Sequence, residues 1–375
     1  MTYLDYSATT PVDDLVLESF IKINKEFIGN PNSLHKLGVR SNQLIEEATK
    51  QIETLLAIED KEVIYTSGSS ESNNLAIKGV ALKYQNRGKH IITTPFEHSS
   101  IYGPLDYLKT LGFEVEYVPT LDNGLINIEE LKKLIRKDTI LVSITAVNSE
   151  IGIQEQIEEV GELLRTYDKC FFHVDMTQAI GKYPINLKNI DLISFSAHKI
   201  YGLKGIGCLI KNKRMDLEPI IHGGKSTTIY RSGTPAVALI ASMAKALRLV
   251  YENQKEHYDY VDELNKQLQV FFKKFDRVKV NSNSVCIPHI LNISVLGVKP
   301  ETMLHALEED EVYISTKTAC AASSDASMSV LALTKDEQRA QSSIRISLSH
   351  KTTKEDIDQF CKSFEKNYEK LTFNR

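Results

Sequence analysis

Lys199 lies in the run Ser196-Ala197-His198-Lys199-Ile200-Tyr201-Gly202, where an apolar stretch gives way to small and polar residues. A lysine partly withdrawn from water beside other cations gives up its proton more readily and attacks carbonyls. Ser196 and His198 flank it with donors suited to a phosphate. Asp175 ends a second apolar stretch, in His173-Val174-Asp175-Met176-Thr177-Gln178. A carboxylate there can pair with a protonated ring nitrogen and make the ring an electron sink, or can simply cap a helix. Gln178 adds an amide for a ring oxygen. A third stretch runs into Thr66-Ser67-Gly68-Ser69-Ser70-Glu71, a Gly/Ser turn opening a helical pattern. Free amides and hydroxyls at a helix start bind anions, although Ser-x-x-Glu is also a plain capping box.

Two further residues fit the same ligand. His98, in Glu97-His98-Ser99-Ser100, can stack on a ring and move protons near neutral pH, or cap a helix. Arg345, in Ser342-Ser343-Ile344-Arg345-Ile346-Ser347, can clamp a carboxylate with two parallel hydrogen bonds, or sit on a surface strand. Cys320 lies in a small, polar run from Ser315 to Ser327 with few apolar anchors, which predicts a mobile loop. A cysteine in such a loop is a candidate nucleophile, because thiol reactivity follows exposure and thiolate character. Cys170, Cys208, Cys286 and Cys361 have apolar or helical neighbours and fit structural roles.

The elements that must carry these groups alternate. Short apolar runs at residues 63–66, 91–94, 115–119, 140–147, 171–175, 192–196 and 207–210 are separated by amphipathic stretches such as 71–85, 128–135 and 157–167. This predicts an α/β fold: a large domain with a mainly parallel seven-stranded sheet flanked by helices, plus a smaller α+β domain. Ligand sites in such sheets lie at the carboxyl ends of the strands, where most of the residues above fall. Residues 235–275 predict a long helical region leading into the smaller domain, with apolar residues at Leu239, Met243, Leu247 and Tyr251. The expected boundaries are 15–254 for the large domain and 1–14 with 255–375 for the small one.

Bulk composition narrows the function. The 375 residues are 42% hydrophobic and 25% charged, with a net charge of −4 and no basic block, so direct nucleic-acid or membrane binding is not expected. No apolar stretch approaches the roughly 20 residues needed to cross a bilayer. No secretory pattern opens the chain, and the five cysteines are odd in number and scattered, which favours a reducing cytoplasm over a disulfide framework. None of the cysteines is paired at metal-ligand spacing, so no metal site is expected.

In order and spacing these motifs resemble the cysteine desulfurases, of the class V aminotransferase-like, fold-type I pyridoxal-phosphate enzymes. The resemblance runs nearly end to end, from Tyr3-Leu4-Asp5-Tyr6-Ser7-Ala8-Thr9-Thr10 and Gly29-Asn30-Pro31-Asn32 through Asn148-Ser149-Glu150 and Arg231-Ser232-Gly233-Thr234 to Ala319-Cys320. It implies that Lys199 holds pyridoxal 5'-phosphate as a Schiff base, Asp175 pairs with the ring nitrogen, Gln178 binds the phenolic oxygen and His98 stacks on the ring. It assigns the phosphate to Ser69, Ser70, Ser196 and His198, with Thr234 contributed by the second subunit of a homodimer. Asn30, Asn148 or its neighbour, and Arg345 would face the substrate L-cysteine. Cys320 would take its sulfur as a persulfide for an acceptor protein, an iron–sulfur scaffold or a tRNA-thiolation enzyme.

The chain departs from the family pattern at three places. Ser149 stands where the family carries a second asparagine, the stretch Gly223 to Arg231 lacks the usual charged pair, and Lys317 precedes Cys320 in place of a small residue. These point to a branch serving a particular acceptor. A selenocysteine lyase or an aminotransferase would keep Lys199 and Asp175 without needing Cys320, and a scaffold that has lost catalysis is the remaining alternative.

Overall fold

The computed structural model describes residues 1–316 and 326–373. In chain order its strands are β1 (Thr2–Tyr3), β2 (Lys61–Thr66), β3 (His90–Thr93), β4 (Glu114–Tyr117), β5 (Thr139–Thr145) and β6 (Phe171–Asp175). They continue with β7 (Leu192–Ser196), β8 (Gly207–Asn212), β9 (Val278–Val280), β10 (Ile290–Val295), β11 (Val312–Tyr313) and β12 (Ser343–Ser347).

Seven of them form one sheet in the order β2-β8-β7-β6-β5-β3-β4. The pairs from β7 across to β4 are parallel, while β8 is antiparallel to both of its neighbours. Every residue of β5 and β7 is buried, as expected of strands covered on both faces. Alternate residues go to opposite faces. Val142, Phe172, Ile193 and Ile210 join Ile45, Ile52, Met243 and Leu247 in one core, while Leu141, Leu192 and Leu209 join Leu75, Val80, Ile101 and Leu105 in another. The sheet is thus the middle of three layers. The mainly parallel seven-stranded sheet is the one the alternating pattern predicts.

Two outer strands are longer than their apolar letters indicate. β2 starts at Lys61 and β8 runs to Asn212 because Glu62 and Lys211 are cross-strand partners. Their side chains pair at 3.0 Å, with Lys211 buried. Such pairing stabilises charged residues in a strand that composition alone would end earlier. The predicted helical region at 235–275 is two helices, Val237–Glu252 and Gln254–Phe272, broken at Asn253 with φ −129° and ψ 31°.

A second core gathers Leu264, Leu268 and Phe272 with Ile293, Ile344, Ile346, Phe360 and Phe364 around the antiparallel sheet β12-β10-β9. Leu4 belongs to this core, and β1 pairs with β11 in parallel. The amino terminus is therefore fastened to the carboxyl-terminal part of the chain, and the following residues are carried across the carboxyl edge of the large sheet. Among the described residues no helix is long and apolar enough to cross a membrane.

Candidate active site

Because β8 is antiparallel to both β2 and β7, strands β2, β3, β5, β6 and β7 all point the same way. Their carboxyl ends form one rim above a cavity of about 310 Å³, lined among others by Ser69, Ser70, His98, Asp175, Gln178, His198, Lys199 and Arg345. Residues far apart in sequence meet here because each follows a strand of this sheet or lies in a segment that crosses the rim.

Asp175 ends β6 and is 3% exposed. One carboxylate oxygen accepts from the Asn73 amide at 2.8 Å and the other from the Thr177 backbone N–H at 2.9 Å. Asn73 also donates to Ser100 Oγ at 2.8 Å, and Ser100 Oγ lies 2.8 Å from His98 Nδ1. The Ser100 backbone N–H donates to that same Nδ1, so the neutral ring carries its proton on Nε2. Burial first, then Lys199 and Arg345, lower the His98 pKa against the opposing pull of Asp175 and Glu150. His98 thus caps the helix Ser99–Thr110 and lines the cavity at once.

Beneath Asp175 the polar chain continues. Asn73 Oδ1 accepts from Ser194 Oγ, which lies 2.8 Å from His173 Nε2, and His173 Nδ1 lies 2.9 Å from Ser143 Oγ. His173 is fully buried, and desolvation lowers its pKa to about 4. Sequence reasoning assigned no role to Asn73, His173 or Ser194. A signal was available: Ser143 and Thr145, His173 and Asp175, and Ser194 and Ser196 alternate on three adjacent strands. The strand register puts Ser143 beside His173, and Asp175 beside both Thr145 and Ser194.

Lys199 follows β7 in a single 3-10 turn. Its ammonium donates to the carbonyl of Ala8 at 2.7 Å and to that of Ser7. The amino-terminal segment supplies backbone acceptors that no side-chain pattern advertises. Ser7 O also accepts from Gln178 Nε2 at 2.9 Å. His198 Nδ1 lies 3.1 Å from Thr9 Oγ1, and burial, then Lys199 and Lys204, lower its pKa to about 4. It is a neutral imidazole at physiological pH.

The helix Ser69–Tyr84 starts at Gly68, which has no side-chain cap. The Ser69 N–H donates to Ser196 Oγ at 2.6 Å, joining the two stretches singled out for a phosphate. Gly207 makes this approach possible: a Cβ there would lie 2.6 Å from Phe195 O and 2.8 Å from Gly68 Cα. Glu71 accepts from the Ser67 N–H at 2.8 Å, one residue before the N-cap, so the Ser-x-x-Glu run does not form a capping box here.

Arg345 is 2% exposed on β12, not on a surface strand. Its guanidinium donates to Asp5 Oδ1 at 2.7 Å and to the Ser149 carbonyl at 3.0 Å, while the buried Nε has no partner among the described residues.

Some predicted residues lie elsewhere. Asn148 does not line the cavity: its amide donates to Phe96 O and Ser329 Oγ, and its oxygen accepts from the Glu150 and Ile151 amides. Its neighbour Ser149 does line it. Asn30 is exposed, and its side chain accepts from the Asn32 N–H at 3.0 Å. Thr234 is exposed and lies in a separate pocket with Ser67 and Arg231. The stretch from Gly223 to Arg231 is tied to its own chain through Ser226–Asn32, Thr228–Glu62 and Arg231–Glu71. Cys320 and Lys317 lie outside the described residues. Burial raises the thiol pKa of the other cysteines, to about 12 for Cys170 and Cys361, about 11 for Cys286, and further for Cys208.

The cavity offers a helix start with no side-chain cap among the described residues, a buried carboxylate and a lysine amine. These fit a group with a phosphate, a basic ring nitrogen and an aldehyde. The fold and this donor set define a pyridoxal-phosphate enzyme of the aminotransferase kind. The chain belongs to the class-V aminotransferase family, whose model matches residues 2–360. It is 39% identical to a "NifS/IcsS protein homolog" of Lactobacillus delbrueckii, over 98% of this chain and 97% of that protein. It is 40% identical to "Cysteine desulfurase IscS" of Dictyoglomus turgidum, over 98% and 95%. A solved structure of a "NIFS-LIKE PROTEIN" superposes with a TM-score of 0.93 at 35% identity, covering 99% of this chain and all of that one.

Proposed function

We propose that this chain is a pyridoxal-phosphate-dependent cysteine desulfurase, which converts L-cysteine to L-alanine and passes the sulfur on as a persulfide. The observation that carries this reading is the meeting of Lys199, Asp175, the Ser69 helix start and Arg345 on one cavity. The relatives named as cysteine desulfurases favour it over an aminotransferase or a selenocysteine lyase.

When bound, pyridoxal phosphate supplies an electron sink for the substrate's α-carbon. Lys199 is the amine that would hold it and, when free, the base that would take up the substrate's α-proton. Asp175, fixed by Asn73 and Thr177, holds a proton on the ring nitrogen. Ser69, Ser70, Ser196 and His198 would hold the phosphate, His98 would face the ring, and Gln178 would donate to the ring oxygen. Arg345 orients the substrate carboxylate. The Cys320 thiolate attacks the substrate sulfur. The carbon–sulfur bond breaks, its electron pair returns to the carbon side, and Cys320 is left carrying the added sulfur.

A homodimer suits this reading. Leu34 is 97% exposed, Ile28 74% and Ile229 61%, and the Asn32–Ser226 hydrogen bond ties their two segments together, an apolar surface of the kind that marks an interface. Asn30 and Thr234, away from this chain's own cavity, would then serve the partner's. The acceptor is a protein of iron–sulfur assembly or tRNA thiolation, and the enzyme works in the cytoplasm, where Cys320 stays reduced. The large unit would comprise residues 15–254, and residues 1–14 with 255–375 the small one.

The test is mass spectrometry after incubation with L-cysteine. One added sulfur on Cys320, absent from Cys320→Ala although that variant keeps its cofactor absorbance, is the expected result. Alanine release that persists in Cys320→Ala would overturn the mechanism.

A further inference from the structure

Gln178 lines the cavity, and its amide is held from behind by a residue no part of the chemistry above uses. Lys182 Nζ lies 3.0 Å from Gln178 Oε1. Gln178 Nε2 donates to the Ser7 carbonyl at 2.9 Å. A backbone carbonyl only accepts, so the Ser7 contact sets the orientation of the amide, and the charged Lys182, which only donates, favours the same one. Its oxygen is taken by Lys182 and one N–H by Ser7. The group left for the cavity is the second N–H.

The backbone goes to some length to make this contact. After Asp175 the chain turns through Met176, whose carbonyl accepts from both Ala179 and Ile180. Gly181 then adopts φ +74°, and a Cβ there would come within 2.5 Å of Val250 Cγ2. That turn returns Lys182 to Gln178. Lys182 also borders a small cavity of about 30 Å³ behind Lys199, shared with His289 and His350. Withdrawing an ammonium from water is costly unless it is hydrogen-bonded, and Lys182 is half-buried where it meets this amide. Burial, then the charges of Lys199 and Arg345, lower its pKa to about 7.

We propose that Lys182 is a positioning residue that locks the Gln178 amide so that it presents an N–H donor, never its carbonyl, to the cavity. The ligand atom opposite is then an acceptor, which in the function proposed above is the ring oxygen of pyridoxal phosphate. The inference rests on that reading. Without Lys182 only the Ser7 carbonyl would oppose a flip that turns the Gln178 oxygen to the cavity, where it would repel such an atom.

The test reads cofactor binding, not turnover. Pyridoxal phosphate is titrated into the apo forms of wild type, Lys182→Met, Gln178→Ala and the double variant, recording the dissociation constant and the visible absorbance maximum. A lost hydrogen bond to a charged group predicts about tenfold weaker binding in each single variant. Because Lys182 acts through Gln178, the double variant should be no weaker than Gln178→Ala, with the same displaced maximum. Lys182→Arg should restore both. Effects that multiply in the double variant, or a Lys182→Met that binds as wild type does, would overturn the proposal. A wild type that binds no cofactor would instead sink the functional reading. Apo melting temperatures separate both results from a variant that fails to fold.

Discussion

The Arg345 guanidinium, 2% exposed, donates to Asp5 Oδ1 at 2.7 Å, joining β12 to the amino-terminal segment that crosses the cavity. The remaining contact is the Ser149 carbonyl at 3.0 Å. The residue expected to grip a substrate carboxylate is therefore already aimed by a carboxylate of its own chain, and the contact at Ser149 is to the backbone, which the departure there leaves intact.

Arg345→Lys keeps the charge but loses the planar fork. The KM for L-cysteine should rise about tenfold or more with kcat within about twofold, since the lost contact binds ground and transition states alike. Steady-state kinetics with an alanine assay measure this. An unchanged KM would remove Arg345 from substrate recognition. Asp5→Asn should instead cost stability, about 1–3 kcal/mol by urea unfolding, because it leaves a buried guanidinium short of its partner charge.

Asn73 holds Asp175 and, through Ser100, His98. Asn73→Ala leaves the buried Asp175 carboxylate without its side-chain donor and frees the Ser100 hydroxyl. Cofactor affinity should fall about tenfold, measured by equilibrium titration of the apo form. Asn73→Asp should be worse, because it sets a second carboxylate against the first. If both variants bind the cofactor as wild type does, the polar chain beneath the site is structural only.

Glu97 links the site to pH. It is buried beside β5, with Oε1 accepting from Thr94 Oγ1 and the Thr145 N–H, and Oε2 without a partner among the described residues. Desolvation raises its pKa to about 8. In the unfolded chain it ionises near 4.3. Between those values the native state holds a proton that the unfolded state has released, so this group's contribution to stability falls as pH rises from about 4 to 8. Glu97→Gln removes the titration while keeping the acceptor oxygen. Its stability relative to wild type should therefore improve steadily from pH 5.5 to 8.5 in urea unfolding. Parallel profiles for the two proteins would refute the assignment.

Much of this protein is legible in its letters. The apolar runs at 140–147, 171–175 and 192–196 announce β5, β6 and β7 because a strand buried on both faces has little room for polar residues. Asp175 and Lys199 fall where those strands end, and chain order alone sets that position. Other features needed the fold. The outer ends of β2 and β8 are invisible without the Glu62–Lys211 pairing, which lies 149 positions apart in the chain. Asn148 and Ser149 are adjacent letters, yet the turn buries one side chain among four backbone and hydroxyl partners and turns the next into the cavity. Above all, the carbonyls of Ser7 and Ala8 on Lys199, and the carboxylate of Asp5 on Arg345, come from a segment that the β1–β11 pairing and the Asp5–Ser347 bridge carry over the site. Backbone acceptors have no letter of their own. Sequence determined which groups can do the chemistry, because residue type and strand end are local. Which of them meet, and what holds each in place, was decided by long-range strand pairing and burial.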